Sequence, residues 1–425
     1  MHDIKILLTI TILIIFSSLS VLSQKKPLSS DKLKKEKVYR TIDEAVYNKR
    51  HVYILNLDGQ NLTEIPDKVF KLKNLQELYL RNNQITTLPD ELSVLTNLQK
   101  LMLGENAIDN LPPVIGKFQQ LEELDLFSNN LTSLPVEIGE LKKLRKLDLN
   151  WNNLYELPGT ICNLTEIQLI YLERNQLKSL PEDFGSLVNI KEINLYDNQL
   201  TGLPETFGNL KKITELNLSK NNLVHLPGSM GSLKNLRSLN MSENMLRNLP
   251  DLSGLTNLEK LDVSNNKLST VRNELNGLEK LSELNMSINA INTLTINPES
   301  MPELKQLDLE LNRIHEIPGA IFRLPALEYL NLSRNKIERV ENGISKMKNL
   351  KKLYLNNNQI YSVSKYIGNL RNLEILDMSN NQIRLLQREI GGMQSLKELH
   401  LENNDFSQFQ RNLVRKYLVG PEIYF

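Results

Sequence analysis

The sequence predicts an α/β fold, a right-handed solenoid with a curved parallel sheet on its concave face and 3₁₀ helices, short helices and turns on its convex face. Two observations predict it. A phrase of the form L-x-x-L-x-L-x-x-N-x-L occurs sixteen times between Val52 and Phe406, at steps of 23 residues except for one step of 22. The ninth position is Asn in fifteen copies and Gln60 in the first. Repetition at such a period indicates a solenoid, to which each repeat adds one supersecondary unit.

The first half of each repeat predicts a short strand. Positions one, four and six are apolar, as in Leu121, Leu124 and Leu126. Positions four and six have the spacing of residues on one strand face, so they point inward while position five points outward. The Asn at position nine follows the strand, where its amide can donate to and accept from backbone groups inside the turn. We expect a ladder of stacked Asn side chains, broken at Gln60 only because a neighbour is missing there.

The second half of each repeat reads L-P-x-x-I-G-x-L, as in Leu134 to Leu141. Proline starts a tight turn or a short helix, and glycine near its end suits a crowded or left-handed backbone. We therefore expect 3₁₀ turns or one-turn helices on the convex side. The proline is absent from repeats ten, eleven and thirteen to sixteen, close to the 22-residue repeat that opens at Leu236. Repeat drift is the favoured interpretation, and a local change of curvature is the alternative.

The first 23 residues have the pattern of a secretory signal peptide. The apolar core Ile6–Phe16 is too short to span a bilayer. Val21 and Ser23 fit the small-residue rule at positions minus three and minus one, which predicts cleavage before Gln24. The alternative is an uncleaved anchor.

Covers are predicted at both ends of the solenoid. The stretch Tyr39–Asn48 has the apolar face of a short amphipathic helix over the first repeat. At the other end, Ser407–Leu418 predicts a helix with an apolar stripe of Phe409, Leu413 and Tyr417, and residues 423–425 can add a last strand. The chain thus divides into a signal peptide at 1–23, a basic leader and N-terminal capping helix at 24–51, the repeats at 52–406 and a C-terminal cap at 407–425.

Several of these segments carry a family resemblance. They are Tyr39-Arg40-Thr41-Ile42-Asp43-Glu44-Ala45, pairs such as Leu88-Pro89 and Ile138-Gly139, and the closing Glu422-Ile423-Tyr424-Phe425. The repeat phrase is the leucine-rich-repeat signature, and nearly the whole chain resembles the exported leucine-rich-repeat proteins of Leptospira-type spirochaetes. The chain departs from them at Pro421, where those proteins usually have a cysteine. The resemblance implies an exported, non-enzymatic interaction protein that contacts host molecules, and it transfers no functional residue.

Composition and motifs indicate no chemistry. The formal net charge is +1, so no global charge favours nucleic acid as a partner. The five histidines are scattered, and no metal, phosphate or nucleophile motif is present, which predicts no enzyme, no cofactor and no metal. The single Cys162 favours a half-buried inert thiol over a cross-link between chains. Asp125 and Asp148 occupy position five of adjacent repeats, where a solvated face is favoured over a weak cation site.

Variation on the concave face predicts the recognition surface. Position seven is Ser in repeats eight to eleven, thirteen and fifteen, whereas repeats two to seven carry aromatic, apolar and charged residues on this face. Such residues dominate binding hot spots, and exposed apolar clusters usually mark contact sites. Ile288 with Leu311 forms a weaker second patch, and the alternative for both is tolerated drift. The predicted recognition strip consists of Tyr79, Arg81, Met102, Phe127, Trp151, Leu169, Tyr171, Arg174 and Tyr196.

The sequence therefore predicts an exported, non-catalytic scaffold for protein–protein interaction that binds a protein partner, of the host or a second copy, through the recognition strip. Two alternatives stay open. One is a self-associating structural protein of the cell envelope, and the other is a glycan-binding surface protein, since aromatic rings also stack on sugars. The predicted location is secreted or at the cell surface, with the periplasm as the alternative. No nucleic acid and no stable membrane span after signal cleavage are expected.

Overall fold

The computed structural model describes residues 27–425, so the predicted signal peptide and its cleavage point lie outside the described residues. The chain forms two compact units. Of the described residues, unit 1 comprises 27–154 with Asn163–Ile167, and unit 2 comprises Tyr155–Cys162 with Gln168–Phe425. Over residues 27–425 the search for a helix long and apolar enough to cross a membrane finds none.

Each repeat contributes one strand at positions three to five. Within each unit the neighbouring strands are parallel and pair position for position, as in Leu78 with Leu101 and Leu101 with Leu124. The leucines at positions four and six, such as Leu124 and Leu126, are fully buried. This confirms the predicted α/β leucine-rich-repeat class in each unit. The strands are Ile54–Asn56, Glu77–Tyr79, Lys100–Met102, Glu123–Asp125 and Lys146–Asp148 in unit 1, and Leu169–Tyr171, Glu192–Asn194, Glu215–Asn217, Ser238–Asn240, Lys260–Asp262, Glu283–Asn285, Gln306–Asp308, Tyr329–Asn331, Lys352–Tyr354, Ile375–Asp377 and Glu398–His400 in unit 2.

The asparagines at position nine form the predicted ladder. The Asn221 amide nitrogen donates to the carbonyl oxygens of Leu195, Leu218 and Ser219 at 2.9, 3.1 and 3.3 Å. Its Oδ1 accepts the Leu200 N–H at 3.0 Å, so one side chain joins two repeats. Burying these backbone groups is tolerable only because the amide satisfies them.

Short 3₁₀ helices occupy the second half of most repeats, as predicted. They follow the proline in most repeats that have one, as Asp67–Lys71 follows Pro66, whereas only a turn follows Pro250. The others are Asp90–Val94, Pro113–Lys117, Val136–Glu140, Gly159–Asn163, Glu182–Ser186, Glu205–Asn209, Gly228–Ser232, Pro298–Ser300, Ile321–Arg323, Asn342–Lys346, Lys365–Asn369 and Arg388–Gly392.

Loss of the proline is accompanied by extra short strands in the second half of several repeats. Four of the six repeats that lack it form second parallel pairs, Thr270–Val271 with Thr293–Leu294 and Arg339–Val340 with Ser362–Val363. Repeats fifteen and sixteen also lack the proline and have no such strand. The residue in the proline slot supplies the closing bond: Thr295 N–H donates to Val271 O at 2.8 Å. Proline has no N–H to donate, so the repeat that keeps Pro318, between these two pairs, has no such strand.

The N-terminal cap continues the sheet of unit 1. It contains helices Ser30–Leu33 and Ile42–Tyr47 and strand Val38–Tyr39, which pairs in parallel with Ile54–Asn56. The Gln60 amide donates to Arg40 O at 2.9 Å, so Gln60 does have a neighbour, which is the cap.

The C-terminal cap comprises helix Gln408–Tyr417 and strand Glu422–Tyr424, which pairs with Glu398–His400. The predicted apolar stripe is wrong, because Phe409 is 68% exposed whereas Val414 and Leu418, one turn apart, are buried. The helix lies close against the last 3₁₀ helix, where a Cβ on Gly391 would come within 2.5 Å of Tyr417 O. That approach turns the Val414 side inward.

Candidate recognition surface

Position five of the strands has a structural function in most repeats. In eleven repeats it is Asp or Asn. The Asn217 Oδ1, for example, accepts the Ser219 N–H at 3.1 Å and the Ser219 hydroxyl at 2.6 Å. The expectation that aspartates here are merely solvated is therefore wrong, because they cap the turn after the strand. The five repeats that give up this cap are those with Tyr79, Met102, Tyr171, Tyr354 and His400.

Tyr79 packs against the N-terminal leader. The Gln76 amide accepts the Leu28 N–H at 2.7 Å and donates to Leu28 O at 3.1 Å. Leu28 and Tyr79 pack on a buried cluster of Leu33, Tyr53 and Ile54. The Tyr79 hydroxyl donates to Glu77 at 2.8 Å, and burial with that bond holds the pKa of Tyr79 far above its usual value. The expected open exposure of Tyr79 is thus corrected, since its side chain packs on a cluster that includes Leu33 of the leader.

Met102 is also not an exposed contact residue, since only 4% of it is exposed. Its strand neighbours at the same register are Tyr79 and Asp125. Strands lie about 4.8 Å apart, so both neighbouring side chains are within reach of Met102. The sequence placed Met102 on the correct face but gave no information on the size and pairing of its neighbours.

Arg81 and Asp125 form an ion pair that spans a repeat. The Arg81 Nε lies 2.5 Å from Asp125 Oδ2, and the second guanidinium contact joins the same oxygen. Repeat three lies between them and carries Gly104, where a Cβ would come within 3.1 Å of the Asp125 carboxylate oxygens. Asp125 is only 3% exposed, and its other oxygen accepts the Phe127 N–H at 2.9 Å. The glycine therefore gives the arginine room to reach a buried carboxylate.

An open pocket of about 260 Å³ lies beside this ion pair. Burial raises the pKa of the Asp148 carboxyl to about 6, and the neighbouring Asp125 carboxylate adds to the shift. The cation site considered for these two aspartates gains no support, since Arg81 already neutralises Asp125. Over the described residues no group of three or more His, Cys, Asp or Glu is placed to hold a metal. The pocket is lined by Arg81, Gly104, Glu105, Asp125, Phe127 and Asp148.

Trp151 occupies a backbone site that does not suit it. From the second repeat to the sixteenth, position eight has a positive φ, between 50° and 58°. Asn tolerates this left-handed conformation, and five repeats use it, whereas a bulky side chain is strained there. Trp151 has φ 58° and is 47% exposed. The apolar residues at this site are Trp151, Ile288 and Leu311, and each is more than 40% exposed.

The unit 2 residues of the recognition strip form a charged aromatic group. The Tyr196 ring lies between two cations, 6.0 Å from the Arg174 guanidinium and 5.8 Å from the Lys220 ammonium. Asp197 lies 3.7 Å from Arg174 Nε and 2.7 Å from Lys220 Nζ. The sequence did not predict Lys220 as a site residue, because a lysine at position eight resembles any solvated charge. Leu169 and Tyr171 are half-buried on the same strand.

A second aromatic group on the unit 2 sheet was also missed. Tyr329 and Tyr354 have ring centroids 5.6 Å apart, and His400 stacks on Tyr424 at 4.5 Å. The sequence did contain a signal, because Tyr354 and His400 stand where most repeats carry the capping Asp or Asn.

Comparisons with known proteins agree with the fold. The family model "Leucine rich repeat" matches residues 50–108, 96–154, 302–360 and 348–406, and "Leucine-rich repeat region" matches 178–301. No curated protein matches the chain. Leucine-rich-repeat proteins generally act through protein–protein interaction.

Solved structures of similar proteins cover most of the chain. A leucine-rich-repeat protein of Leptospira interrogans is 36% identical, with TM-score 0.75, and the match covers 92% of this chain and all of that one. A TDR receptor is 26% identical, with TM-score 0.64 and coverage of 87% and 71%. The Drosophila Toll–Spatzle complex is 21% identical, with TM-score 0.66 and coverage of 85% and 53%, which shows the fold alone. With family models matched over most of its length, this chain belongs to the leucine-rich-repeat family.

Proposed function

We propose that this protein is a non-catalytic scaffold that binds a protein partner through the sheet-face residues of repeats two to seven. The residues form two groups, one in each unit. The unit 1 group consists of Trp151, as the anchor, with Arg81 and Phe127, which line the pocket beside the ion pair. The unit 2 group consists of Arg174 and Tyr196. Met102 is buried and Tyr79 is half-buried, so neither is proposed as a direct contact.

One observation carries the proposal. Trp151 is 47% exposed at φ 58°, so it costs backbone strain without filling the core. Strained residues that persist cluster at functional sites, and Trp is the residue type most enriched in binding hot spots. A side chain retained against its own backbone preference, with nearly half of its surface in solvent, supports contact with a partner.

The test uses a photo-reactive phenylalanine analogue placed at position 151 of the exported protein. Irradiation should yield a cross-link to one partner, and the same analogue at position 264, on the Ser264 site of the same face, should not. Trp151→Asn should then weaken binding to that partner about thirtyfold, the cost of a hot-spot tryptophan. Asn is the chosen replacement because it tolerates the left-handed backbone.

The outcomes separate the candidates. Equal cross-linking at both positions, or none at either, would refute the localisation. A cross-link only to a second copy, with dimers lost in Trp151→Asn, would assign the surface to self-association. A cross-link lost after glycosidase treatment would assign it to glycan binding.

We also propose that the protein is exported and acts outside the cytoplasm, secreted or at the cell surface. The apolar core Ile6–Phe16 with Val21 and Ser23 supports cleavage before Gln24. Intact-mass measurement of the exported chain should lack residues 1–23. Ser23→Tyr, which places a bulky residue at the cleavage site, should retain them. A full-length product held in the membrane in both cases would contradict the proposal.

A further inference from the structure

The sheet face of repeats twelve to sixteen, in unit 2, concentrates negative charge. Outside the row at position two it carries six carboxylates against two permanent cations, Arg334 and Lys352. Arg334 already lies 3.5 Å from Glu310. The position-two row contains three lysines and two glutamates, with Lys351 and Glu328 paired at 2.8 Å, so the whole face still carries eight carboxylates against five permanent cations. The six carboxylates belong to Asp308, Glu310, Asp377, Glu398, Glu402 and Glu422.

Two tyrosines lie among these carboxylates. Tyr354 is paired across the sheet with Asn331 on one side and Asp377 on the other, and its ring is 5.6 Å from that of Tyr329. Both rings are half-buried, so each keeps a face for a ligand. Tyr329 also lines a groove of about 380 Å³ with Asp308. We call Tyr329, Tyr354 and the six carboxylates the acidic tyrosine face.

The carboxylates are only partly satisfied within the protein. Asp308 accepts the Glu310 N–H at 2.9 Å and the Asn331 amide at 3.2 Å. Glu402 Oε1 lies 3.3 Å from His400, while its Oε2 is buried and has no hydrogen-bond donor among the described residues. The buried Oε2 is not itself open to a partner, but the charge of Glu402 is left with only His400 as its neighbour of opposite sign.

We propose that the acidic tyrosine face binds a lysine- or arginine-rich segment of a protein partner. Carboxylates in excess attract such a segment, and tyrosine faces hold cationic groups through their ring quadrupoles. Tyr354 and Asp377 occupy the same position of adjacent strands, so an aromatic ring and a carboxylate lie one strand apart. One cationic side chain can therefore contact both. This surface is separate from the recognition strip and adds a second contact of defined chemistry.

The experiment measures fluorescence anisotropy of labelled octalysine and octaarginine with the purified protein, at about 50 and 300 mM salt. Both peptides should bind, more weakly at the higher salt, because the Debye length falls. Tyr354→Leu should weaken binding about fivefold or more, and Tyr354→Phe should retain it because the ring face remains. Asp377→Asn should weaken binding several-fold and reduce the salt dependence, while its amide keeps the cap on Ser379.

Matched controls lie off this face. Tyr366→Leu changes a 41% exposed tyrosine of the 3₁₀ helix Lys365–Asn369, and Asp67→Asn changes an exposed aspartate of the first 3₁₀ helix. Neither should alter binding, and Trp151→Asn should not either. Absence of octalysine binding at low salt, equal binding of octaglutamate, or equal effects of controls and Tyr354→Leu would overturn the proposal.

Discussion

At the scale of single residues, the repeat imposes backbone conformations that most side chains would not choose. The left-handed turn at position eight recurs in every repeat from the second to the sixteenth, because the chain must leave the strand and direct the Asn of position nine inward. Asn82 and Asn265 fit this geometry. Ile288, with φ 54°, does not, since a β-branched side chain crowds its own backbone there.

Ile288→Asn is therefore expected to stabilise the protein. The left-handed conformation costs an ordinary residue about 1–2 kcal/mol, and Asn relieves much of it. Because Ile288 is 45% exposed, the substitution loses little packing. The reciprocal change Asn265→Ile, at the same position of the preceding repeat, should destabilise by a similar amount. Urea unfolding measures both, and a loss of stability in Ile288→Asn would show that its contacts outweigh the strain.

Asn221→Ala should reduce the free energy of unfolding by about 1–3 kcal/mol, because it leaves buried backbone groups without partners. Its side chain makes four hydrogen bonds that join two repeats. The matched control is Asn222→Ala, whose side chain is more exposed and lies one position further along the turn. Thermal unfolding of the two variants should separate them clearly. Equal midpoints would contradict the structural role of the ladder.

At the scale of elements, the cap at position five explains why most strands carry Asp or Asn, rather than a varied side chain, at the centre of the sheet face. Asp and Asn serve equally as acceptors, since Asp148 Oδ1 accepts the Asn150 N–H at 3.1 Å and Asn194 Oδ1 accepts the Tyr196 N–H at 3.1 Å. An aspartate at this position caps the turn no better than an asparagine, so its charge is an advantage only where it contacts a cation. For half-buried Asp148 the charge carries a cost of desolvation.

That cost predicts a pH dependence. Burial raises the pKa of Asp148 from 3.8 to about 6, so between these values the folded protein binds a proton that the unfolded chain releases. The unfolding free energy contributed by Asp148 therefore falls as pH rises from about 4 to 6, and the penalty persists above pH 6. Asp148→Asn, which keeps the cap, should be more stable than the parent at pH 7 and equal to it near pH 3.5. Thermal midpoints across this range provide the test, and a constant offset would argue against it.

Element periodicity was readable from the sequence, whereas pairing between distant side chains was not. The spacing of Leu121, Leu124 and Leu126 suffices to place a strand and its core face. Nothing local in the sequence indicates that Arg81 reaches Asp125, 44 residues further along, because that contact depends on the glycine of the intervening repeat. The prediction that Met102 is exposed was wrong for the same reason, because its burial depends on side chains of the neighbouring repeats. The expected exposure of Trp151 agrees with its 47% exposed surface, although Ser128, Arg174 and Asp197 at the same position of other repeats are half-buried.

At the scale of the whole molecule, a stack of repeats has contacts mainly between neighbours, so its ends need separate covers. In unit 2 the cover is the helix Gln408–Tyr417 with the strand Glu422–Tyr424. Val414 of this helix is fully buried, and the Phe425 ring packs edge-on against Phe406 at 5.8 Å. Arg411 and Arg415 lie over the other part of the Phe425 ring, at 5.5 and 5.1 Å.

Val414→Asp should therefore detach this cover and loosen only the adjoining repeats. An unpaired carboxylate in an apolar site costs several kcal/mol, which the small cap cannot offset. Hydrogen exchange should show faster amide exchange at Leu399 and Leu401 in the last repeat, with Leu216 and Leu239 in the middle of unit 2 still protected. Asn412→Asp, on the exposed side of the same helix, should leave both regions unchanged. Uniform loss of protection through unit 2 would mean that the repeats unfold as one block, and an unchanged last repeat would mean that the helix is dispensable as a cap.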